Sequence, residues 1–182
     1  MKNFEHLQYT FLHRYALNFV IEKHIKDAYL KKVLLERAKW HDLDKAFLYT
    51  LIPKPDASAY HKLHSQHHFH LQNPTNKSIV DIYEAVMDFE SAGYTKPDKP
   101  RNAYDTINAL SFQHKDELMK CTSCLGINYS YQNTPNDQEW IEYLDTMPIL
   151  TEERMTKEIY EWVLNYPIQA KAELQYAEQF LS

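Results

Sequence analysis

Histidines concentrated in one short stretch are the feature of this sequence that points most directly to chemistry. Five of the ten histidines of the chain lie within ten consecutive residues: His61, His64, His67, His68 and His70. The dipeptide His41-Asp42 precedes this stretch, His13 lies further upstream and Asp88 lies downstream. Imidazole nitrogens and carboxylate oxygens are ligands that proteins offer to divalent cations. The pattern predicts a site for one or two divalent metal ions, with Mn, Mg, Fe, Co, Ni and Zn left open.

Ligands spread this far along the chain must come from separate elements, and those elements are predicted to be helices. Apolar residues recur at helical spacing along most of the sequence. We predict helices over residues 4–29, 31–49, 58–70, 78–92, 102–120, 151–165 and 167–181. His41-Asp42 then lies in the latter half of the second helix, and the histidine-rich stretch falls in the third. No single helix can surround a cation, so the ligands have to converge from neighbouring helices.

Prolines and polar residues predict where these helices begin and end. Pro53 and Pro55 are predicted to stop the second helix, because proline lacks the backbone N–H that a helix interior needs. Residues 121–135 are predicted to be irregular. Asn136, with Glu139 three residues later, resembles a helix N-cap and predicts a further short helix.

The composition is that of a globular helical protein. The chain has 182 residues, of which 44% are hydrophobic, which is enough for one domain with a buried core. It contains two glycines, Gly93, which is predicted to end the fourth helix, and Gly126. So few glycines disfavour a β-rich fold with many tight turns. We therefore predict a single all-α domain over residues 1–182.

Charge and hydropathy exclude several classes of partner. The net charge of −5 gives no electrostatic reason to expect nucleic-acid binding. No apolar run approaches the ~20 residues that a membrane span requires, and the N-terminus lacks the apolar core of a secretion signal. We predict a cytoplasmic protein in which Cys121 and Cys124 are isolated thiols rather than a zinc or redox pair. The sequence leaves a homo-oligomer open.

The order of His13, His41-Asp42 and Asp88 resembles the ligand order of the HD-domain superfamily of metal-dependent phosphohydrolases. The pentapeptide His-Asp-Leu-Asp-Lys that begins at His41 is similar to the family's His-Asp-x-x-Lys. The histidine-rich stretch followed by an Asp-bearing helix is similar to a group of uncharacterised bacterial and phage HD-like proteins. The resemblance implies an HD-like helical bundle.

This resemblance also implies how the bundle is divided and which residues bind metal. It covers residues 5–110, which would form the metal-binding core, and residues 111–182 would form a C-terminal helical extension packed on that core. The ligands of a first metal would be His13, His41, Asp42 and Asp88. A second metal would take its ligands from His61, His64, His67 and His68. Adjacent His67 and His68 cannot point the same way on a helix, so only one of them is expected to be a ligand.

The remaining charged residues near this set suggest the rest of an active site. We predict catalytic roles, in orienting or deprotonating water and in neutralising charge, for Asp42, Asp44, Lys45 and Glu84. Three cationic residues in the polar segment after the fourth helix are predicted to bind substrate phosphate: Lys96, Lys99 and Arg101.

Two other groups of residues receive structural interpretations. We expect surface positions for His6, His24, His70 and His114. Aromatic residues in the C-terminal third are predicted to form core, or alternatively a wall against a nucleobase: Tyr129, Tyr131, Trp140 and Tyr143.

Together the residues and the resemblance predict a metal-dependent phosphohydrolase acting on a nucleotide or another small phosphorylated metabolite. Two alternatives remain open from the sequence. One is an HD-like diiron oxygenase, because the added histidines could hold a pair of iron ions. The other is a non-enzymatic, metal-stabilised helical interaction module.

Overall fold

The structure is a computed structural model and describes residues 4–96 and 101–180. Within these ranges it contains α-helices and no strand, which confirms the predicted all-α class; the HD-like character of the bundle stays a prediction. The helices are α1 (Phe4–His24), α2 (Ala28–Ala38), α3 (Leu43–Leu51), α4 (Lys54–His64), α5 (Ile79–Thr95), α6 (Ala103–Ala109), α7 (Lys115–Cys124), α8 (Gln138–Asp145), α9 (Glu152–Asn165) and α10 (Pro167–Glu178). None of the helices in the described ranges is long and apolar enough to cross a bilayer.

Helix α1 belongs to both apolar clusters of the core. Its C-terminal half, including Leu17 and Ile21, belongs to the cluster that α2, α5 and α8 share. Its N-terminal half, including Leu7 and Phe11, belongs to the cluster that α3 and α9 share. Each such side chain contributes about 1.5–3 kcal/mol when fully buried. His13 lies between the two halves, so the predicted metal ligand sits where the two clusters meet.

The predicted helix 31–49 is wrong, because the chain breaks between α2 and α3. Asp42 has a left-handed backbone, with φ 59° and ψ 8°, which ends helical continuity. Aspartate is one of the few residues other than glycine that adopt this conformation readily. The buried Arg14 of α1 donates a hydrogen bond to the carbonyl of Lys39 and so holds the break against the bundle. His41-Asp42 therefore lies in a turn between helices.

The predicted helix 58–70 is displaced, because α4 covers Lys54–His64 instead. Pro55 lies in its first turn, where a missing N–H leaves no hydrogen bond unmade. The chain after His64 is not helical, and side chains satisfy its backbone. Asn73 Nδ2 donates to the carbonyls of Lys62 and Ser65 at 3.0 and 2.8 Å, respectively. We call the segment 65–77 the histidine loop.

Other predicted boundaries need smaller corrections. The helix predicted over 102–120 is two helices, α6 and α7, and α7 continues to Cys124, so part of the segment predicted to be irregular is helical. Helix α1 ends at His24 and α10 at Glu178, both before the predicted limits. The N-cap of α8 is Asp137, whose side chain accepts from Trp140 N, and not Asn136. The boundaries predicted for α9 agree with the structure.

Gly93 does not end α5, which continues through it to Thr95. A Cβ atom at Gly93 would lie 2.6 Å from Asn133 Cβ and 3.1 Å from the Arg101 carbonyl oxygen. Asn133 Nδ2 in turn donates to the Glu90 carbonyl at 3.1 Å. The glycine is therefore required because another part of the backbone packs closely against α5 at this point.

We predict that Gly93→Ala destabilises the protein, by on the order of 1 kcal/mol, even though alanine favours helices, because overpacking outweighs the gain in helix propensity. Gly126→Ala is a useful comparison: Gly126 has φ 74° and nothing within 4 Å of its missing Cβ, so it reports the backbone effect alone. Urea unfolding of both variants measures the difference. A Gly93→Ala variant as stable as the parent protein would contradict the close packing.

Candidate metal centre

Five parts of the chain bring the predicted ligands together. Helix α1 carries His13, the turn between α2 and α3 carries His41-Asp42, and α4 carries His61 near its C-terminal end. The histidine loop carries His67 and His68, and α5 carries Asp88. All of these side chains are buried or nearly so. Residues far apart in sequence thus share one interior space, as the sequence predicts.

One set of potential ligands lies beside the Asp88 carboxylate, which contacts the set but is not part of it. His13 Nε2 lies 2.7 Å from Asp88 Oδ1, and His41 Nε2 lies 3.5 Å from the same oxygen. His41 Nε2 is also 3.6 Å from Asp42 Oδ1. His13, His41 and Asp42 each offer one ligand atom, and these atoms lie within 4.8 Å of one another. They could hold a metal ion.

A second set contains Asp42 again, together with His61, His67 and His68, and its ligand atoms also lie within 4.8 Å of one another. His61 Nε2 is 2.8 Å and His67 Nε2 is 3.4 Å from Asp42 Oδ1. Both His67 and His68 reach this set because the histidine loop is not helical. The expectation that only one of them is a ligand assumed a helix at these positions, and that assumption is wrong.

The atoms that point into this space lack hydrogen-bond partners. His41 Nε2, Asp42 Oδ1, His61 Nε2 and His67 Nε2 are all buried and make no hydrogen bond of normal geometry, although the three nitrogens lie 2.8–3.6 Å from the Asp42 oxygen as ion-pair contacts. Leaving a polar atom buried and unsatisfied costs about 1–3 kcal/mol, so four of them in one place require compensation. A divalent cation bound by these nitrogens and this oxygen would provide it, and the donor types suit first-row transition metals.

The other nitrogen of each imidazole contacts a side chain that fixes the ring. His41 Nδ1 is 3.2 Å from Glu84 Oε1, and His61 Nδ1 is 2.6 Å from Asp44 Oδ2. His67 Nδ1 is 2.8 Å from the Ser65 hydroxyl. A carboxylate behind a histidine orients the ring and raises its strength as a ligand. Asp44 and Glu84, predicted to act on water, thus contact the rings of His61 and His41.

Arg37 and Asp81 are part of this arrangement, and the sequence analysis missed both. Arg37 Nε lies 2.6 Å from Glu84 Oε2, and an Arg37 terminal nitrogen lies 2.5 Å from Asp81 Oδ1. Asp81 also forms a capping box with Ser78 at the start of α5. The spacing of Asp81, Glu84 and Asp88 places the three carboxylates on one face of α5, and this pattern could have revealed Asp81. No pattern on α2 distinguishes Arg37 from other cationic residues.

The Asp42 carboxylate is held by an ion pair and not by an N-capping hydrogen bond. It occupies the N-cap of α3, but its side chain makes no capping hydrogen bond there. Instead Asp42 Oδ2 accepts from Lys45 Nζ at 2.7 Å. Lys45, predicted to contact phosphate oxygens, therefore neutralises this carboxylate. A strained backbone that aims a side chain into a site is typical of functional positions.

The buried charges shift one another's protonation. Burial alone would lower the pKa of His41, but the carboxylates of Asp42, Asp88 and Glu84 raise it to about 10. Burial alone would also lower the pKa of His61, but the carboxylates of Asp44 and Asp42 raise it to about 9.

The pKa values of His67 and His68, in the histidine loop, are shifted in the opposite direction. Burial, and then the positive charge of the neighbouring histidines, lowers the pKa of His67 and holds that of His68 well below its usual range. These two rings are therefore neutral at pH 7 and are ready to bind a cation. His41 and His61 must lose a proton first.

Some predicted site residues lie outside the groups of potential ligands. His64 lines the cleft described below, but its ring is exposed, its Nδ1 is 2.7 Å from the Tyr60 carbonyl, and it belongs to none of the three groups, the third of which is His41, His67 and Glu84. Lys96 and Arg101 are exposed and are not among the residues that line the cleft described below. Lys99 lies outside the described residues.

The four histidines predicted at the surface have different environments. His114 is exposed, whereas His6 and His70 are half-buried. The prediction is wrong for His24, whose side chain is only 16% exposed and approaches the buried Glu90 at 3.8 Å. Both cysteines are free, Cys121 buried in α7 and Cys124 exposed.

A cleft of about 1010 Å³ opens onto the ligands, with His41, Asp42, His67 and Glu84 among its lining residues. Aromatic residues line it as well: Trp40, Tyr60, Trp162 and Tyr166. These are not the aromatic residues predicted to face a nucleobase. Of that group Trp140 is buried in the core, Tyr131 and Tyr143 pack against the core, and Tyr129 is exposed.

A scan against protein-family models finds no match for this chain. Searches of curated proteins and of solved structures also find no match. The resemblance to HD-domain proteins therefore rests on the residues named above and stays a prediction.

We predict that Asp42→Asn removes most of the metal that the protein binds, by a factor of ten or more in affinity (~1.4 kcal/mol per factor of ten). Asparagine tolerates the left-handed backbone, so this variant removes the charge with little effect on the fold. His64→Ala is the matched control and should keep its metal, since His64 lies outside both sets. Elemental analysis after dialysis measures the metal content of both variants and of the parent protein. Equal metal in Asp42→Asn and the parent protein would contradict the proposed ligands.

The raised pKa values also predict how the metal-free protein responds to pH. A histidine whose folded pKa exceeds its unfolded value near 6.5 stabilises the fold below that pH, and the stabilisation disappears as pH rises through 9 to 10. Urea unfolding in the presence of a chelator should therefore give a free energy that falls by ~1 kcal/mol or more between pH 7 and pH 10.

Two controls accompany this measurement. His61→Gln should flatten the decline, whereas His114→Gln, at an exposed position, should leave it unchanged. Metal-loaded protein should lose less stability, because deprotonated histidines bind the cation more strongly at high pH. A metal-free protein of constant stability from pH 7 to pH 10 would show that His41 and His61 are not held in their charged forms.

Proposed function

We propose that this protein is an HD-like, metal-dependent phosphohydrolase that binds two divalent cations through a shared Asp42 and acts on a nucleotide or another small phosphorylated metabolite. One observation carries the proposal. Asp42 belongs to two sets of buried ligand atoms, and the atoms that face each other across it lack hydrogen-bond partners at the edge of a cleft. A shared carboxylate is what a pair of neighbouring cations needs between them.

The chemistry of such a site would divide between the cations and the chain. Bound divalent cations would lower the pKa of a coordinated water and would polarise a phosphoryl oxygen. The chain would keep the geometry fixed. Glu84 and Asp44 hold the rings of His41 and His61, and Arg37 holds Glu84. Lys45 balances part of the charge of Asp42 in an interior where charges interact strongly.

The lining of the cleft supports a phosphorylated substrate. Lys32 and Arg37 of α2 line the cleft, as does Glu36 of the same helix, and Arg37 is already paired with Glu84 and Asp81. Lys32 is therefore the side chain that we expect to meet a substrate phosphate. Lys96 and Arg101 are not among the residues that line the cleft, so their positions do not support this role. A volume of about 1010 Å³ lies at the upper end of the ordinary range for small-molecule sites and could accept a nucleotide.

A diiron oxygenase is the second candidate, and the composition of the second ligand set favours it. Three imidazoles and one carboxylate form a donor set that binds iron well. The third hypothesis, a metal-stabilised module without activity, leaves the cleft beside the ligands without a purpose. Both enzyme hypotheses need the same residues, so the reaction itself has to distinguish them.

Activity under controlled metal and oxygen separates these hypotheses. We expect the metal-free protein, reloaded with Mn²⁺, Mg²⁺, Co²⁺ or Ni²⁺, to release phosphate from at least one nucleotide or sugar phosphate in the absence of O₂. Asp42→Asn should reduce this activity at least 100-fold (~2.7 kcal/mol), and His114→Gln, at an exposed position away from the cleft, should retain it. Oxygen consumption that requires iron, without phosphate release, would support the oxygenase instead. Protein that holds metal but is silent in both assays would support the module.

The assignment of positive charge to α2 has its own test. Lys32→Ala should raise the KM for a phosphorylated substrate ~3–10-fold and leave metal content unchanged, because a cation away from the metals contributes to substrate binding. Lys96→Ala and Arg101→Ala are the controls and should leave KM unchanged. An increase in KM in either control, with none in Lys32→Ala, would instead support binding of the substrate phosphate by Lys96 or Arg101.

A further inference from the structure

Glu173 is a buried carboxyl group that the metal site does not use. It lies on α10, has 1% of its surface exposed and lines the same cleft as Asp42 and His67. Its Oε1 accepts a hydrogen bond from Gln169 Nε2 at 3.2 Å. Its Oε2 is buried and has no hydrogen-bond partner. Such an atom is unfavourable unless the cleft normally contains a group that bonds to it.

Two carboxyl groups, Asp44 and Glu173, line this corner of the cleft. Burial raises the pKa of Glu173 to about 9, and the Asp44 carboxylate adds to the increase. Without a ligand Glu173 is therefore protonated at pH 7, and a cation placed beside it would displace that proton. The Tyr60 hydroxyl responds to the same charges: burial raises its pKa, and Glu173 and then Asp44 raise it further. We call Asp44, Tyr60 and Glu173 the acidic corner.

The cationic side chains of the cleft lie elsewhere. Among the described residues that line it, the lysine and the arginine both belong to α2, and Arg37 already contacts Glu84 and Asp81. His61, the positive neighbour of Asp44, is bonded to that carboxylate at 2.6 Å. The acidic corner therefore has more acceptors than donors.

We propose that the acidic corner binds a protonated amine, so that the substrate is a phosphate ester carrying an ammonium group at its other end. An ammonium group has three donors and a positive charge, and it could bond to the unpartnered Glu173 oxygen while the phosphate lies toward α2 and the ligands. This inference rests on the proposed function for the phosphate end of the substrate. The amine end is supported independently by the acidic corner.

Two other occupants fit less well. A third metal ion needs several ligand atoms around one point, and Glu173 belongs to none of the potential metal sets found among the described residues. A purely structural role would pair both carboxyl oxygens within the protein, as Glu90 does with Ala103 N and with Asn133 Nδ2. Glu173 Oε2, by contrast, has no hydrogen-bond partner, and Glu173 lines the cleft.

Calorimetric titration of the manganese-loaded protein tests the inference. The probes are ω-aminoalkylphosphonates with chains of three to five carbons and the alkylphosphonates of the same lengths, since a carbon–phosphorus bond resists hydrolysis. For at least one length we expect the amino compound to bind about tenfold more tightly, the effect of one charge-assisted hydrogen bond. Glu173→Gln should remove this advantage. Glu178→Gln, at an exposed position on the same helix, should keep it.

The outcomes separate the two proposals. No advantage of the amine at any length, or an advantage that survives in Glu173→Gln, would overturn the acidic corner. If no phosphonate binds, the proposed function fails at its phosphate end, and butylamine then tests the acidic corner alone. Butylamine should raise the melting temperature of the parent protein and of Glu178→Gln but not that of Glu173→Gln. An equal response in all three proteins would overturn the inference. Glu173→Gln should fold, because it keeps the side-chain volume and removes a buried acid.

Discussion

The burial of the Asp42 carboxylate is the constraint on which the rest of this structure depends. A charged group removed from water needs partners close by, and Asp42 obtains them from Lys45, His41, His61 and His67. These partners come from α3, from the turn before it, from α4 and from the histidine loop. Helices that pack only through apolar contacts could shift against each other, but helices that share one buried charge cannot do so without exposing it.

The elements around Asp42 follow from this requirement. The break between α2 and α3 turns Asp42 inward, and Arg14 stabilises the break from α1. Helix α5 packs against α1 and carries Asp81, Glu84 and Asp88 at one face, from which Asp88 contacts His13 of α1 at 2.7 Å. Its acidic face would be unfavourable in an apolar core alone. Beside Arg37 and the histidines, it supplies the countercharges that a cluster of buried cations and imidazoles requires.

Charged and acidic side chains line the cleft unevenly. Helix α2 contributes Lys32 and Arg37 together with Glu36, whereas α10 and α3 contribute the carboxyl groups of Glu173 and Asp44. The metal ligands lie between these two groups. The C-terminal helices therefore do more than cover the core, since one of them supplies a buried acid to the wall of the cleft. A substrate with separated negative and positive groups would match this distribution.

The sequence by itself determined the all-α class, because helical periodicity is a local property of the chain. It also pointed to the residues that converge, His13, His41-Asp42 and Asp88, because their types are those of metal ligands. It could not show that the chain breaks at Asp42, where no glycine or proline marks the turn. Packing decided that, together with the non-helical path that lets both His67 and His68 face inward. Arg37 and Glu173 gain their roles only from neighbours distant in sequence, and only the tertiary structure brings those neighbours together.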